Sequence, residues 1–268
     1  MPSTVPVSLV SQDGLTYQDD GDSTALQGES SRPSTQSASS REQEPERLID
    51  RVTDPTAWLM DFRFRQEWNW PDYEAGADSQ SFQFRPTIPF RAWDHVNLLR
   101  IAIPYNLEGN DGAGLGDIEA FDLVVFDQAW GRWGVGPSIR LRPQATEIED
   151  SFQIGPAAGA VTKSKHWTVG LLMQNFLSEQ GSTSQLQPIL AFKFNDRWAV
   201  GIGQSHFSYD WHESIWTELP LGIQLSRITD FYGQRMEVFA NPQYNFQDDA
   251  SNSGWTLFFG LKLLVPDA

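Results

Sequence analysis

The sequence contains no cysteine among its 268 residues. This absence excludes disulfide bonds, thiol nucleophiles and cysteine-ligated zinc sites. The chain also lacks any run of 18 or more apolar residues, which excludes a transmembrane helix. A transmembrane β-barrel needs no such run, because each of its strands alternates between an apolar face and a polar face.

Basic residues are scarce: 19 Lys and Arg stand against 35 Asp and Glu, giving a formal net charge of −16. General nucleic-acid binding depends on clustered Lys and Arg, so we expect no nucleic-acid partner. Residues 1–10 contain no Lys or Arg and only a short apolar run. No secretory signal peptide is therefore visible there.

The sequence offers little for catalysis or metal binding. Ser205 and His206 are neighbours in a predicted strand and point to opposite faces, so they cannot act together as nucleophile and base. The glycines of residues 112–116 lack the spacing of a phosphate-binding loop. His206 and His212 lie near Asp210 without a fixed ligand set. We predict no enzyme activity, no cofactor and no dedicated metal site.

Residues 1–50 form a distinct segment rich in Ser, Gln and acidic residues, with almost no large apolar side chains. Such a segment cannot bury enough apolar surface to offset its conformational entropy. We predict a disordered acidic tail over 1–50, with a short helix near 44–52, and one domain over 51–268.

From Thr56 onward the hydropathy pattern has a period of two, as in a β-strand. One face of the first predicted strand is apolar and aromatic: Trp58, Met60, Phe62, Phe64 and Trp68. The other face is charged: Asp61, Arg63, Arg65 and Glu67. The pattern therefore indicates one side toward an apolar surrounding and one side toward a polar interior.

The alternation recurs to the C-terminus and predicts about twelve strands. They cover 57–69, 81–91, 96–107, 118–127, 133–143, 156–163, 167–177, 186–194, 197–207, 215–228, 234–246 and 255–265. Short connections, such as Asn195–Asp196, alternate with longer Gly- and Asp-rich ones, such as Glu108–Asp117. This asymmetry is typical of outer-membrane barrels. The predicted fold class is all-β: a single antiparallel transmembrane β-barrel.

The tryptophans fall near both ends of the predicted strands. At the short-turn end lie Trp58, Trp93, Trp130, Trp133, Trp167 and Trp198. At the long-loop end lie Trp68, Trp70, Trp211, Trp216 and Trp255. Two such aromatic girdles form where amphipathic rings meet the two membrane–water interfaces. The alternative is a soluble sandwich in which tryptophans end the strands.

A family resemblance rests on the order and spacing of ten segments. They are DPTAWLMDFRFRQEWNW (54–70), QFRPTIPF (83–90), LLRIAIPYNL (98–107), GLGDI (114–118), WGVGPSIRL (133–141), GPAAGAV (155–161), WTVGLLMQNF (167–176), LQPILAFKF (186–194), ELPLGIQLSRI (218–228) and WTLFFGLKLLVP (255–266). This pattern resembles the transporter-type outer-membrane β-barrel family named for the meta-pathway of phenol degradation. The acidic tail is not part of it. The resemblance implies an outer-membrane location and passage of small, often aromatic, molecules, and it supplies no functional residues.

The polar face of the strands supplies the candidate lumen residues. They are Asp61, Arg63, Arg65, Glu67, Arg85, Arg100, Arg140, Arg142, Lys193, Glu218, Arg235, Glu237 and Lys262. Basic residues dominate this set, so one hypothesis is an electropositive lumen that favours anions. The alternative is that these charges pair across neighbouring strands and only fill the barrel. The strand over 118–127 is ambiguous in phase, because Asp122 shares a face with Val124 and Phe126.

These observations predict an outer-membrane barrel giving passive or facilitated passage of small, anionic or aromatic molecules through a narrow basic lumen. The expected partners are outer-membrane lipid, a small solute and, during biogenesis, the barrel-assembly machinery. Two alternatives stay open: an envelope barrel with a structural or interaction role and no open pore, and a soluble β-barrel binding an apolar ligand. The oligomeric state is open.

Overall fold

A computed structural model describes residues 48–54, 56–70, 78–108, 112–145, 151–179, 181–247 and 254–265. These residues all belong to one compact unit, 43–268. Residues 1–47, which make up most of the predicted acidic tail, lie outside the described residues. The predicted boundary between residues 50 and 51 falls inside a short helix, α1 (Leu48–Thr53).

Twelve antiparallel strands follow α1. The first six are β1 (Met60–Trp70), β2 (Ser79–Ala92), β3 (His95–Glu108), β4 (Ile118–Gln128), β5 (Gly131–Leu141) and β6 (Phe152–Lys163). The next two are β7 (Trp167–Phe176) and β8 (Thr183–Lys193). β9 has two segments, Trp198–Gly201 and Phe207–Asp210, and β10 has three, Ile215–Glu218, Pro220–Gly222 and Gln224–Phe231. β11 (Gln234–Asn245) and β12 (Trp255–Val265) complete the set, and the short strand Gly114–Leu115 pairs with β3.

The sheet closes on itself because the first and last strands pair along their whole length. Met60 lies opposite Val265, and the register continues without a shift to Trp70 opposite Trp255. Every other strand pairs with its neighbours in the chain. A closed sheet has no free edge, so its backbone hydrogen bonds are satisfied within the barrel. The prediction of an all-β antiparallel barrel of twelve strands is confirmed.

The two faces of the wall differ as the period-two pattern requires. On β1 the side chains of Asp61, Arg63 and Arg65 are buried, while the alternate residues lie on the outer face. There the Phe64 ring packs against Phe84 of β2 with centroids 5.1 Å apart. Cross-strand aromatic pairs of this kind stabilise neighbouring strands. The barrel is thus apolar outside and largely polar inside.

Tight turns define one end of the barrel. Trp93 and Asp94 both have positive φ, as do Tyr232 and Gly233, so two-residue turns join β2 to β3 and β10 to β11. Turns with two positive φ values match the right-handed twist of the flanking strands. We call this the short-turn end, and the opposite end the long-loop end.

The strand predicted over 197–207 is not continuous, and this part of the prediction is wrong. Residues 202–206 leave the β9 ladder, and the strand resumes at Phe207. Gly203 makes the break with a φ of +69°, a conformation that favours glycine. A Cβ at this position would also lie 1.9 Å from Asn241 Nδ2.

The phase of β4 is settled by its burial pattern. Phe121, Leu123 and Val125 are buried, so Asp122 lies on the outer face with Val124 and Phe126. The ladder between β4 and β5 is interrupted beside Asp122, between the pairs Phe121–Ser138 and Val124–Val135. In the part of the chain that the structure describes, no helix is long and apolar enough to cross a membrane.

Candidate functional site

Three cavities of the barrel interior lie in series. The largest, about 570 Å³, lies toward the long-loop end and shares Arg65 and His206 with a middle cavity of about 70 Å³. The middle cavity shares Arg85, Arg100 and Gln204 with an inner cavity of about 100 Å³. We call the largest cavity the vestibule.

The narrow middle of this series is formed by the break in β9. Arg85 Nη1 donates to Gln204 Oε1 at 2.8 Å, and Arg65 Nη1 approaches the same oxygen at 3.5 Å. Arg65 and Arg85 belong to β1 and β2, whereas Gln204 comes from the far wall. The Gln204 side chain therefore bridges the interior and constricts it.

Three arginines beside this constriction form what we call the arginine cluster: Arg63, Arg85 and Arg100. Their exposed fractions are only 8%, 9% and 8%. Within the described ranges none of the three forms an ion pair, and the Nε atoms of all three and Nη1 of Arg63 have no hydrogen-bond partner. Buried donors are normally satisfied, so these groups present hydrogen-bonding capacity to an acceptor in the cavities.

Several interior guanidinium groups stack on buried phenylalanine rings. Arg100 Cζ lies 4.9 Å from the Phe121 centroid, and Arg63 Cζ lies 5.3 Å from that of Phe239. Similar stacks join Arg65 to Phe258 at 4.3 Å and Arg140 to Phe176 at 4.0 Å. Stacking covers the flat face of a guanidinium and leaves its N–H edge available for planar acceptors such as carboxylates.

Other interior cations are paired within the wall. Lys262 Nζ lies 2.9 Å from Glu237 Oε2, with both side chains 4% exposed. Arg140 Nη2 lies 2.7 Å from Glu119 Oε1, and Arg65 Nη2 lies 3.2 Å from Glu67 Oε2. Pairing across strands, or within β1 for Arg65 and Glu67, thus accounts for these positions and not for the arginine cluster.

The remaining predicted lumen residues fall at different depths. Asp61 is buried and lines the inner cavity, whereas Glu218 is half-exposed at the vestibule. Arg142 lies just beyond the end of β5, with its Nε 3.4 Å from Asp117 Oδ2. Arg235 is exposed at the short-turn end, 3.6 Å from Asp230, and lines none of the three cavities.

The vestibule combines acidic groups with side-chain amides. Its carboxylates include Glu67, Glu119 and Glu218, and burial raises the pKa of Asp117 although Arg140 and Arg142 oppose the shift. His206 Nε2 lies 3.4 Å from Glu218 Oε2. The amides are Asn69, Gln83, Asn106, Gln144, Gln185, Gln243 and Asn245. The vestibule therefore presents hydrogen-bonding groups of both kinds on the long-loop side of the arginine cluster.

The opposite side of the inner cavity is formed by residues 48–54 and 56–59, which we call the plug segment. Its apolar side chains Ile49 and Val52 are buried against Ala199, Ile228 and Leu264 of β9, β10 and β12. Polar contacts reach the other side of the barrel, where Thr53 Oγ1 lies 3.0 Å from Thr168 Oγ1 of β7. The segment therefore lies across the interior near the short-turn end.

Carboxylates of the plug segment bind basic residues of the wall. Lys193 Nζ lies 2.6 Å from Asp50 Oδ1. Asp54 Oδ2 accepts from Lys163 Nζ at 2.6 Å and from Arg132 Nη1 at 3.1 Å, with the Asp54 side chain fully buried. Lys262 Nζ also donates to the carbonyl oxygen of Val52 at 3.1 Å.

The predicted girdle tryptophans lie at both ends of the strands. Trp93 and Trp130 occupy short turns and are exposed, and Trp167 and Trp198 begin β7 and β9. At the long-loop end Trp70 closes β1, with Trp255 directly opposite in β12. The others are placed as follows: Trp58 just before β1, Trp68 within β1, Trp133 in β5, Trp211 just after β9 and Trp216 in β10.

Sequence reasoning missed two parts of this site: Gln204 and the buried phenylalanines beneath the arginines. It predicted a short helix near 44–52, where α1 lies, but named no wall residue that binds it. The glycines of Gly201-Ile202-Gly203 were the available signal for the break that carries Gln204. The buried ring of Phe121 was hidden by the ambiguous phase of β4. Among the described residues, no group of three or more His, Cys, Asp or Glu side chains could hold a metal ion.

The chain matches no protein-family model and no curated protein by sequence. Solved structures match its fold. An outer membrane channel from Pseudomonas putida F1 aligns with a TM-score of 0.51 and 10% identity, over 79% of this chain and 99% of the channel. The KdgM porin, solved in complex with disordered oligogalacturonate, aligns with a TM-score of 0.47 and 11% identity, over 76% and 98%. The chain has the fold of outer membrane channel barrels.

Proposed function

We propose that this chain is a bacterial outer-membrane channel for the passive or facilitated passage of small anions, chiefly carboxylates. The observation that carries the proposal is the arginine cluster, whose buried N–H groups have no carboxylate partner among the described residues. A ring of one charge in a narrow lumen sets ion preference, because the lumen is a poorly screened environment. The phenylalanine stacks favour planar acceptors, which extends the proposal to aromatic carboxylates.

The outer face supports the membrane location. Its apolar strand residues and terminal tryptophans fit a lipid surface with two interfaces. Outer-membrane lipid and, during insertion, the barrel-assembly machinery are the partners of this proposal. Membership of the phenol-degradation family is also a proposal, and it agrees with aromatic acids as solutes.

Liposome swelling with matched solutes tests the passage function. Benzoate, benzamide and benzylamine share one ring and differ in charge, and lactate and lactamide form a second pair. We expect faster swelling with each carboxylate than with its amide, and the slowest swelling with the amine. Arg85→Gln with Arg100→Gln should remove the preference, whereas Arg235→Gln, a rim change of the same kind, should retain it. Equal rates for all solutes would contradict the proposal.

A barrel with a structural or interaction role is the second candidate. The plug segment favours it, because residues 51–54 and 57 close one side of the inner cavity. This candidate predicts no swelling with any solute, even for variants in which the plug segment is weakened.

A further inference from the structure

The plug segment is held in a way that allows it to leave without opening the barrel. Its backbone–backbone hydrogen bonds within the described residues are local, such as Ala57 N to Asp54 O and Leu59 N to Ala57 O. It joins no β-ladder, since β1 begins at Met60 and pairs only with β2 and β12. Displacement would therefore break side-chain contacts and leave the strand pairing intact.

Ion pairs provide much of the attachment of the plug segment to the wall. Their acceptors are carboxylate oxygens, which a carboxylate solute also carries. Lys193 is 1% exposed, and its Nζ donates to Asp50 Oδ1 at 2.6 Å and to the Ser164 carbonyl oxygen at 3.0 Å. A carboxylate solute presents the same acceptor oxygens as the Asp50 side chain. A buried ammonium that loses its carboxylate is strongly destabilised, so exchange of one carboxylate for another is favoured over simple loss.

The inner cavity lies between the arginine cluster and the plug segment. Arg63, Arg85 and Arg100 line one side of it, and Arg51, Val52 and Asp54 of the plug segment line the other. A solute held at the arginine cluster therefore lies against the plug segment.

We propose that the plug segment, residues 48–54 and 56–59, is a displaceable plug. Asp50 would then occupy, at Lys193, a second binding site for the carboxylate of the solute. This inference rests on the proposed passage function for the identity of the ligand. A carboxylate that moves on from the arginine cluster replaces Asp50 at Lys193, and the plug then leaves the short-turn end of the lumen.

An engineered disulfide tests whether plug displacement controls passage. The chain has no cysteine, and the Oγ1 atoms of Thr53 and Thr168 lie 3.0 Å apart, so Thr53→Cys with Thr168→Cys places two thiols within reach of each other. We expect the conductance of the oxidised double variant in planar bilayers to be about tenfold lower than that of the wild type, and we expect reduction of the disulfide to restore it. If the conductance of the double variant is the same before and after reduction, plug displacement does not control passage. Each single cysteine variant, treated with the same oxidant, is the control.

Thiol labelling tests displacement without relying on conductance. In Thr53→Cys, a membrane-impermeant thiol reagent should react about tenfold faster when Asp50→Asn is added, because Lys193 then loses its carboxylate. Benzoate should also accelerate labelling of Thr53→Cys alone, and benzamide should not. The matched control is Asp230→Asn, an exposed carboxylate at the same end whose loss should leave the rate unchanged.

The outcomes separate the two proposals. If neither Asp50→Asn nor benzoate changes the labelling rate of Thr53→Cys, the displaceable plug is rejected, whether or not the channel conducts. Faster labelling together with no conductance in any variant would uphold the displaceable plug and reject passage. Heat-dependent mobility in SDS gels shows that each variant has folded into a barrel.

Discussion

The arginine cluster and the basic residues that bind the plug segment differ in how their buried cations find acceptors. We call the second group the plug seat: Arg132, Lys163, Lys193 and Lys262. Both hold basic groups inside a barrel whose outer face is apolar. In the plug seat each cation has an oxygen acceptor from the plug segment, as in the 2.6 Å contact of Lys193 with Asp50. In the arginine cluster the neutral oxygen of Gln204 accepts from Arg85, and no carboxylate of the described chain pairs with the three guanidiniums. Carboxylates of the plug segment pair with cations of the plug seat, whereas Asp61, which lines the inner cavity beside the arginine cluster, forms no ion pair with it among the described residues. The cluster therefore keeps N–H groups that our proposal assigns to a carboxylate solute.

The largest effect should come from breaking a buried pair in the plug seat. Glu237→Gln removes the carboxylate that pairs with buried Lys262 at 2.9 Å, and we expect a loss of about 3 kcal/mol in the free energy of unfolding. Urea unfolding of the barrel in lipid vesicles measures this value. Adding Lys262→Met should recover most of the loss, and a loss below about 1 kcal/mol would show that the pair is well solvated.

The position of Gln204, which accepts a hydrogen bond from Arg85, depends on the backbone break at Gly203. Gly203→Ala places a Cβ beside Asn241 at a positive φ, so we expect a loss of about 2 kcal/mol in unfolding free energy and displacement of Gln204. The same urea titration gives the energy, and a higher single-channel conductance reports the wider constriction. Gly181→Ala, where a Cβ would have open space, is the control. If the two variants have the same unfolding free energy and the same conductance, the break in β9 accommodates a side chain at position 203.

Removing a charge from the arginine cluster should raise the free energy of unfolding, the opposite of the two changes above. Arg100→Met removes a buried cation that forms no ion pair among the described residues, so we expect a gain of about 1 kcal/mol in unfolding free energy. Arg140→Met, which abandons Glu119, should instead lower stability in the same assay. If both substitutions destabilise equally, the distinction between paired and unpaired cations does not hold.

The smallest expected effect concerns the stacking beneath Arg100. Phe121→Leu retains an apolar side chain and removes the ring, so we expect a loss of about 0.5–1 kcal/mol from the cation–π contact. Anion preference should weaken slightly, because the guanidinium plane becomes less fixed. Phe126→Leu, on the outer face of the same strand, is the comparison, and its reversal potential should match that of the wild type.

Most of the barrel could be predicted from the sequence because a period of two records which face of a strand is polar. β1, β7 and β12 were located to within a few residues, since their charged or small residues alternate with large apolar ones. β9 was not, because the pattern through Gly201 and Gly203 looks continuous while the backbone turns inward. Strand periodicity carries no information on φ at a glycine.

The site was less predictable than the wall. Alternation identified Arg63, Arg85 and Arg100 as residues of the polar face, but which cations pair depends on contacts between distant strands and on the plug segment. Asp50 illustrates this limit. It stands in an acidic tail that the composition predicts to be disordered apart from a short helix near 44–52, and its buried contact with Lys193 joins positions 143 residues apart.

The reversal potential of the channel under a KCl gradient tests the central claim most directly. We predict an anion-selective value for the wild type and for Arg235→Gln, and a value near zero or on the cation side for Arg85→Gln with Arg100→Gln. The same reversal potential in all three proteins would contradict the assignment of anion selection to the arginine cluster.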